Sequence, residues 1–227
     1  MNKNEKGLLR QFKPKSRNQA EYIRAIVENE LIFCVGPAGS GKTACAVGIG
    51  TEYLYNGKCS KLIITRPTVG VGDKLDRDIG YLPGGIRDKM EPYLIPIFDE
   101  LATYFSKPGL ETMIRDGIIE IAPLNYMRGR TFHDSFVIID EGQNLTHEHI
   151  KMLTTRMGSR SKMVINGDVK QHDRGTKTCP LQTWIYEIVN DDEKIAVCHM
   201  DKTDIVRSEI VTRVLNRVEE WEEINGK

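Results

Sequence analysis

Four short runs of apolar, largely β-branched residues punctuate the chain: Leu31–Val35, Leu62–Thr65, Phe136–Ile139 and Met163–Ile165. None shows the strict alternation of a strand that is wet on one side. Continuous apolar runs of this length suit strands covered on both faces of a parallel sheet. Ile118–Ala122 and Ile195–Cys198 are weaker runs of the same kind. Elsewhere apolar residues return every three or four positions. Ala20, Ile23, Ile26 and Val27 put a helix over Asn18 to Glu28, and Lys42–Tyr55, Lys89–Phe105, His147–Thr155 and Ile205–Glu223 read as further helices. Strands alternating with helices predict an α/β domain with a mainly parallel sheet, in which ligands bind at the carboxyl ends of the strands. Residues 1–16 are polar and basic, contain Pro14, and predict a flexible arm ahead of one domain over residues 17–227.

The polar residues that follow the strands carry the chemistry. Leu31–Val35 runs into Gly36-Pro37-Ala38-Gly39-Ser40-Gly41-Lys42-Thr43 and then into a small, apolar helix start. Glycines at this spacing let backbone N–H groups wrap a phosphate chain, Lys42 neutralises the β/γ-phosphates, and the Thr43 hydroxyl is a Mg²⁺ ligand. The helix that begins there aims its positive end at the same anion. The expected ligands are therefore a nucleoside triphosphate, held by residues Gly36 to Thr43, and Mg²⁺.

Phe136–Ile139 ends in Asp140-Glu141. A carboxylate at that place, beside a phosphate loop, holds Mg²⁺ and its water shell, which is the role expected of Asp140; Glu141 can polarise the attacking water as general base. Val164-Ile165 leads into Asn166-Gly167-Asp168-Val169-Lys170-Gln171, which puts Gln171 or Asn166 near the γ-phosphate. Leu62–Thr65 leads into Arg66-Pro67-Thr68, a basic tip suited to the backbone phosphates of a nucleic acid strand, and Arg128-Gly129-Arg130 is a second basic element.

Composition narrows the setting. With 32 basic and 32 acidic residues the formal charge is zero, so no global field draws the molecule onto polyanions and any such site must be local. Five cysteines without CxxC spacing predict reduced thiols and a cytoplasmic protein. The first residues lack the apolar core of a signal peptide and no run of about 18 apolar residues exists, which predicts no membrane partner. His147 and His149 alternate in a way that fits no zinc site and read as helix-start surface residues, while Trp184 and Tyr186, amid Leu181, Ile185 and Ile188, read as core or interface.

Taken together, Gly36-to-Thr43, Arg66-Pro67-Thr68-Val69, Leu82-Pro83-Gly84, Tyr126-Met127-Arg128-Gly129-Arg130-Thr131, Asp140-Glu141-Gly142-Gln143-Asn144, Asn166-Gly167-Asp168 and Asp204-Ile205-Val206-Arg207 resemble the PhoH-like ATPase family. That family is similar to the N-terminal RecA-like domain of superfamily 1 helicases, and the resemblance spans nearly the whole chain. It implies a single RecA-like P-loop domain that hydrolyses ATP, with Gln143 near the γ-phosphate, Gln171 as a phosphate sensor and Gln19 reading adenine. Gly142 is a departure, since family members commonly carry alanine there.

Superfamily 1 motors close their ATP site with an arginine from a second RecA-like domain, and this chain has room for one. The resemblance then implies a head-to-tail homo-oligomeric ring, a hexamer, in which Arg207, Arg128 or Arg130 reaches a neighbour's γ-phosphate; such a finger is worth about 10³–10⁵ in rate. The implied partner is single-stranded RNA or DNA. A nucleotide-driven switch or assembly ATPase without helicase activity, and a P-loop phosphotransferase, are the alternatives.

Overall fold

The computed structural model describes residues 9–67, 95–171, 178–189, 192–205 and 209–225. All six apolar runs are strands: β1 Leu31–Val35, β2 Lys61–Thr65, β3 Ile119–Ile121, β4 Ser135–Ile139, β5 Lys162–Gly167 and β6 Ile195–His199. They form one sheet in the order β3-β2-β4-β5-β1-β6, and every neighbouring pair is parallel. In register, Cys34 lies between Asn166 and Cys198, and Ile64 lies opposite Ile138.

Alternate residues of each strand serve two cores, which is why the runs are continuously apolar. Ile32, Cys34, Leu62, Ile64, Phe136, Ile138 and Val164 face one layer, packed against Tyr22, Ile26, Ala46 and Leu54 of helices α1 (Arg17–Glu28) and α2 (Lys42–Tyr55). Phe33, Val35, Ile63, Val137, Ile139, Met163 and Ile165 face the other, under Ile150 and Leu153 of the helix His147–Thr154 and Leu181, Trp184 and Ile185. The parallel arrangement gathers the carboxyl ends of β2, β4, β5 and β1 side by side at one edge of the molecule.

Within the expected helix Lys89–Phe105 the described part is helical over 95–102, and its beginning lies outside the described residues. Within the expected helix Ile205–Glu223, Ile205 follows a short 3₁₀ turn over Lys202–Asp204, the described helix covers Glu209–Asn225, and residues 206–208 lie outside the described residues. Among the described residues two α-helices were not expected, Lys107–Arg115 and Pro180–Thr183, the latter continuing as a π-helical turn over Trp184–Ile188. That turn buries Trp184 and Ile185 but leaves Tyr186 55% exposed, so Tyr186 is not a core residue; its ring stacks on His199. Residues 9–16 lie against the domain: the Leu9 N–H donates to the Tyr104 carbonyl, the Phe12 N–H donates to Glu52 Oε1, and the Phe12 side chain packs on α2 at Gly48. Cys34, Cys45, Cys59 and Cys179 are buried free thiols, and Cys198 is a half-buried one.

Candidate active site

The loop after β1 is shaped by its own polar groups. Gly41, which opens α2, has φ +86°, a conformation an L side chain resists, and a β-carbon there would lie 2.7 Å from Gln19 Nε2. Lys42 folds under the loop, where its ammonium donates to the carbonyls of Gly36 at 2.7 Å and Pro37 at 2.8 Å. Burial draws the Lys42 pKa below the usual lysine range, with neighbouring anionic groups, Asp168, Asp140 and Glu141 among them, working the other way. Gln19, on α1, is buried and committed at both ends of its amide: Nε2 donates to the Ser40 carbonyl at 3.0 Å, and Oε1 accepts from the Lys15 N–H at 2.8 Å.

A hydrogen bond from Thr43 Oγ1 to Asp140 Oδ1 at 2.8 Å ties the start of α2 to the tip of β4. Asp140 is 7% exposed, and burial pushes its carboxyl above the usual carboxylate range; the charge of Glu141 adds to the shift, while the Thr43 bond and the cations Arg66 and Lys42 oppose it. A hydroxyl and a carboxylate are the hard oxygen donors that suit Mg²⁺. Among the described residues no three His, Cys, Asp or Glu side chains form a metal cage, so an ion here would take its other ligands from water and phosphate, as Mg²⁺ ordinarily does.

Glu141 stands beside this pair with a left-handed backbone, φ 55° and ψ 41°. Non-glycine residues adopt that region at a cost and only where the surroundings dictate it. Here both oxygens of its carboxylate are held: Oε1 accepts from Arg66 Nη2 at 2.8 Å, and Oε2 from Gln143 Nε2 at 2.6 Å. The other end of the Gln143 amide accepts the Asp168 N–H at 3.0 Å, which links the tips of β4 and β5. Gly142, between these two side chains, has no room for an alanine: an added β-carbon would lie 2.8 Å from Ile165 Cγ2 and 2.9 Å from the Asn166 carbonyl oxygen.

A cavity of about 470 Å³ opens over these groups, lined by Gly39, Lys42, Thr43, Arg66, Asp140, Glu141, Asp168 and Gln171. It is large enough for a nucleoside triphosphate. Pro96 and Glu100 line it too, and burial raises the Glu100 carboxyl above its ordinary range. Glu100 and Asp168 were not among the expected site residues; Glu100 belongs to no motif and meets the loop only through folding.

The expected residues therefore divide. Gly39, Gly41, Lys42, Thr43, Asp140, Glu141, Arg66 and Gln171 share the cavity, with Gln143 immediately behind it. Of the two β5-tip residues expected near the γ-phosphate, Asn166 is fully buried and accepts from the Tyr22 hydroxyl, leaving Gln171 as the one at the cavity. Pro67 is buried. Arg130 makes a two-pronged ion pair with Glu120 of β3 and lies over the Phe132 ring, and Arg128 is exposed nearby. Thr68, Leu82-Pro83-Gly84 and Arg207 lie outside the described residues. His149 caps its own helix through Nδ1, and His147 accepts from the Trp184 indole at 3.0 Å.

A family model described as PhoH-like protein matches residues 11–219. The chain belongs to the PhoH-like family. It is 42% identical over 215 residues to the PhoH-like protein of Bacillus subtilis and 39% identical over 208 residues to that of Synechocystis, covering 94% and 92% of this chain. It is 37% identical over 205 residues to Protein PhoH of Escherichia coli, covering 88%. The PhoH-like chain spans only 65%, 62% and 57% of the lengths of those three relatives.

Among solved structures, the fold is similar to the large terminase of a thermophilic bacteriophage in complex with ADP, with TM-score 0.50 at 12% identity over 90% of this chain and 50% of that one. It is also similar to the Hef helicase domain of Pyrococcus furiosus, with TM-score 0.50 at 12% identity over 85% of this chain and 39% of that one. At such identities the likeness is one of fold: the PhoH-like chain is a single RecA-like domain with a six-stranded parallel sheet flanked by helices. Among its described residues no helix is long and apolar enough to cross a membrane.

Proposed function

We propose that this chain is a Mg²⁺-dependent ATPase that couples hydrolysis to single-stranded RNA or DNA as a ring-shaped homo-oligomer. The observation that carries the reading is the 2.8 Å bond between Thr43 and Asp140, which joins a phosphate loop to the acidic tip of β4 with Glu141 beside it. Thr43 and Asp140 would hold Mg²⁺, whose chemistry here is to neutralise charge developing on the β- and γ-phosphates. Lys42 exchanges its bonds to the loop carbonyls for phosphate oxygens. Glu141 takes the proton of a water whose oxygen bonds the γ-phosphorus as the bridging P–O bond to ADP breaks. Gln171, which lines the same cavity, is the candidate sensor of the γ-phosphate, and Gln143 fixes Glu141.

Self-association is supported by the last helix, Glu209–Asn225, which leaves Ile210, Val214, Val218 and Trp221 exposed by 65%, 52%, 45% and 53%. Apolar side chains spaced by three and four along a helix mark a contact face more often than a solvated one. In a ring, an arginine of the neighbour completes the site, with Arg207 and Arg128 the candidates; Arg130 is already paired.

Steady-state ATP hydrolysis with Mg²⁺, measured with and without single-stranded RNA, tests the proposal, with Glu141→Gln as the blank. The expected outcome is stimulation by RNA and a fall of roughly 10²–10⁴ in the variant, the usual worth of a general base. Hydrolysis indifferent to RNA would favour the nucleotide-driven switch. Full activity in a sample that sediments as a monomer would remove the ring.

A further inference from the structure

We propose that the Arg66–Glu141 ion pair couples strand binding to hydrolysis: a phosphate of a single-stranded polynucleotide takes Arg66 from Glu141 and so frees the carboxylate to face the attacking water. The coupling rests on the ATPase reading of the site and adds its regulation.

The pair joins two strand tips that no local sequence relation connects, β2 through Arg66 and β4 through Glu141, at 2.8 Å. Both carboxylate oxygens are engaged, Oε1 by Arg66 and Oε2 by Gln143. The two partners differ in how firmly they are fixed. Gln143 is 3% exposed and anchored to the Asp168 N–H, so its grip is part of the folded framework. The Arg66 side chain is 26% exposed and that of Glu141 35%, and both line the cavity. An ion pair open to water to this extent is weakly held.

A guanidinium binds phosphate with the same planar fork it offers a carboxylate, so exchange of one partner for the other needs no new geometry at Arg66. When Arg66 leaves, Gln143 keeps Oε2, and only Oε1 becomes available. The carboxylate is released without being displaced, which is what a base needs if its water is to be met at hydrogen-bond distance. Arg66 is in this sense a positioning residue: whether it is held by a phosphate decides whether Oε1 is open to the water. A protein built this way hydrolyses ATP slowly until a strand is present.

The test uses the full chain, a fluorescently labelled oligouridylate, and two variants expected to move in opposite directions. Arg66→Gln should raise ATP turnover without RNA several-fold and reduce stimulation by oligouridylate to nearly none. In nucleotide-free anisotropy titrations the same variant should bind the oligomer more weakly, with a salt slope shallower by about 0.7, the contribution of one phosphate contact on a single strand. Glu141→Gln removes the competitor for Arg66 and should bind the oligomer several-fold more tightly, even though it does not turn over. This arm stands by itself if Arg66→Gln does not fold.

If wild type hydrolyses ATP but Arg66→Gln is as slow or slower without RNA, or if Glu141→Gln binds RNA no more tightly than wild type, the coupling is refuted while the ATPase reading survives. Release of Glu141 by the γ-phosphate alone, seen as Arg66→Gln binding the oligomer with unchanged affinity and salt slope, refutes it equally. A wild type with no hydrolysis under any condition refutes the ATPase reading and this inference with it.

Discussion

Gln143 offers a direct check on the geometry, because its amide joins two strand tips through a pair of hydrogen bonds. Replacing it by methionine keeps the length and most of the volume of the side chain while deleting both bonds. The Asp168 N–H then loses its acceptor at 3.0 Å in a buried place, and a stranded buried donor costs about 1–3 kcal/mol. The second bond, 2.6 Å to Glu141 Oε2, is charge-assisted, but Glu141 is part-exposed and keeps Arg66, so water compensates much of that loss. The total is about 2–3 kcal/mol, which for a domain of this size lowers Tm by about 4–12 °C. Urea unfolding at neutral pH, followed by far-ultraviolet circular dichroism, measures it. Gln143→Ala should cost somewhat more than Gln143→Met because it adds a void. Gln143→Glu should cost more again, since it sets a second carboxylate against Glu141. A Gln143→Met protein within about 0.5 kcal/mol of wild type, the range of an ordinary surface change, would refute the bridge.

Two further outcomes are expected. Ser16→Ala removes the N-cap of α1, whose hydroxyl accepts the Gln19 N–H and donates to buried Asp204 at 2.5 Å; cap and carboxylate bond together are worth about 2–3 kcal/mol, read as a lowered urea midpoint. Cys45 is fully buried, and burial pushes its thiol up to about 12 from 9.0, so its contribution to stability is complete below the unfolded thiol's pKa and is lost as pH rises through the alkaline range toward the folded value. By pH ~10 the loss is about 1 kcal/mol, so the stability difference between wild type and Cys45→Ala should shrink by roughly that amount between pH ~8 and ~10 under reducing conditions; a constant difference would mean a thiol open to water.

The sheet was legible because its four inner strands are covered on both faces, which leaves an apolar run with no competing periodicity, while the half-buried edge strands β3 and β6 gave the weaker runs. The glycine loop and the acidic tip stood out in the sequence for a different reason: each is a local string that ends a strand. What escaped notice is what depends on contacts between distant segments. Lys107–Arg115 begins Lys-Pro-Gly, which reads as a turn, although proline in a first helical turn is well tolerated and Ser106 caps it. The helix from Pro180 loosens into a π turn, so its apolar residues lose the regular spacing that would assign Tyr186 to the surface. Glu100 reaches the cavity from a helix far along the chain, and the pairing of Arg66 with Glu141 depends on β2 and β4 being neighbours, an order the strand lengths do not encode. The engagement of Arg130 by Glu120 was hidden likewise, because an arginine in a glycine-containing loop looks available until its partner in β3 is placed.

Asp204 has a mechanical consequence. This buried carboxylate accepts the hydroxyl of Ser16; the same hydroxyl accepts the N–H of Gln19; and the amide of Gln19 donates to the carbonyl of Ser40 in the phosphate loop. Three short links thus tether the loop to the segment from which the last helix departs. The position of Ser40 therefore depends on a carboxylate from the far end of the chain, joined to it through three successive hydrogen bonds.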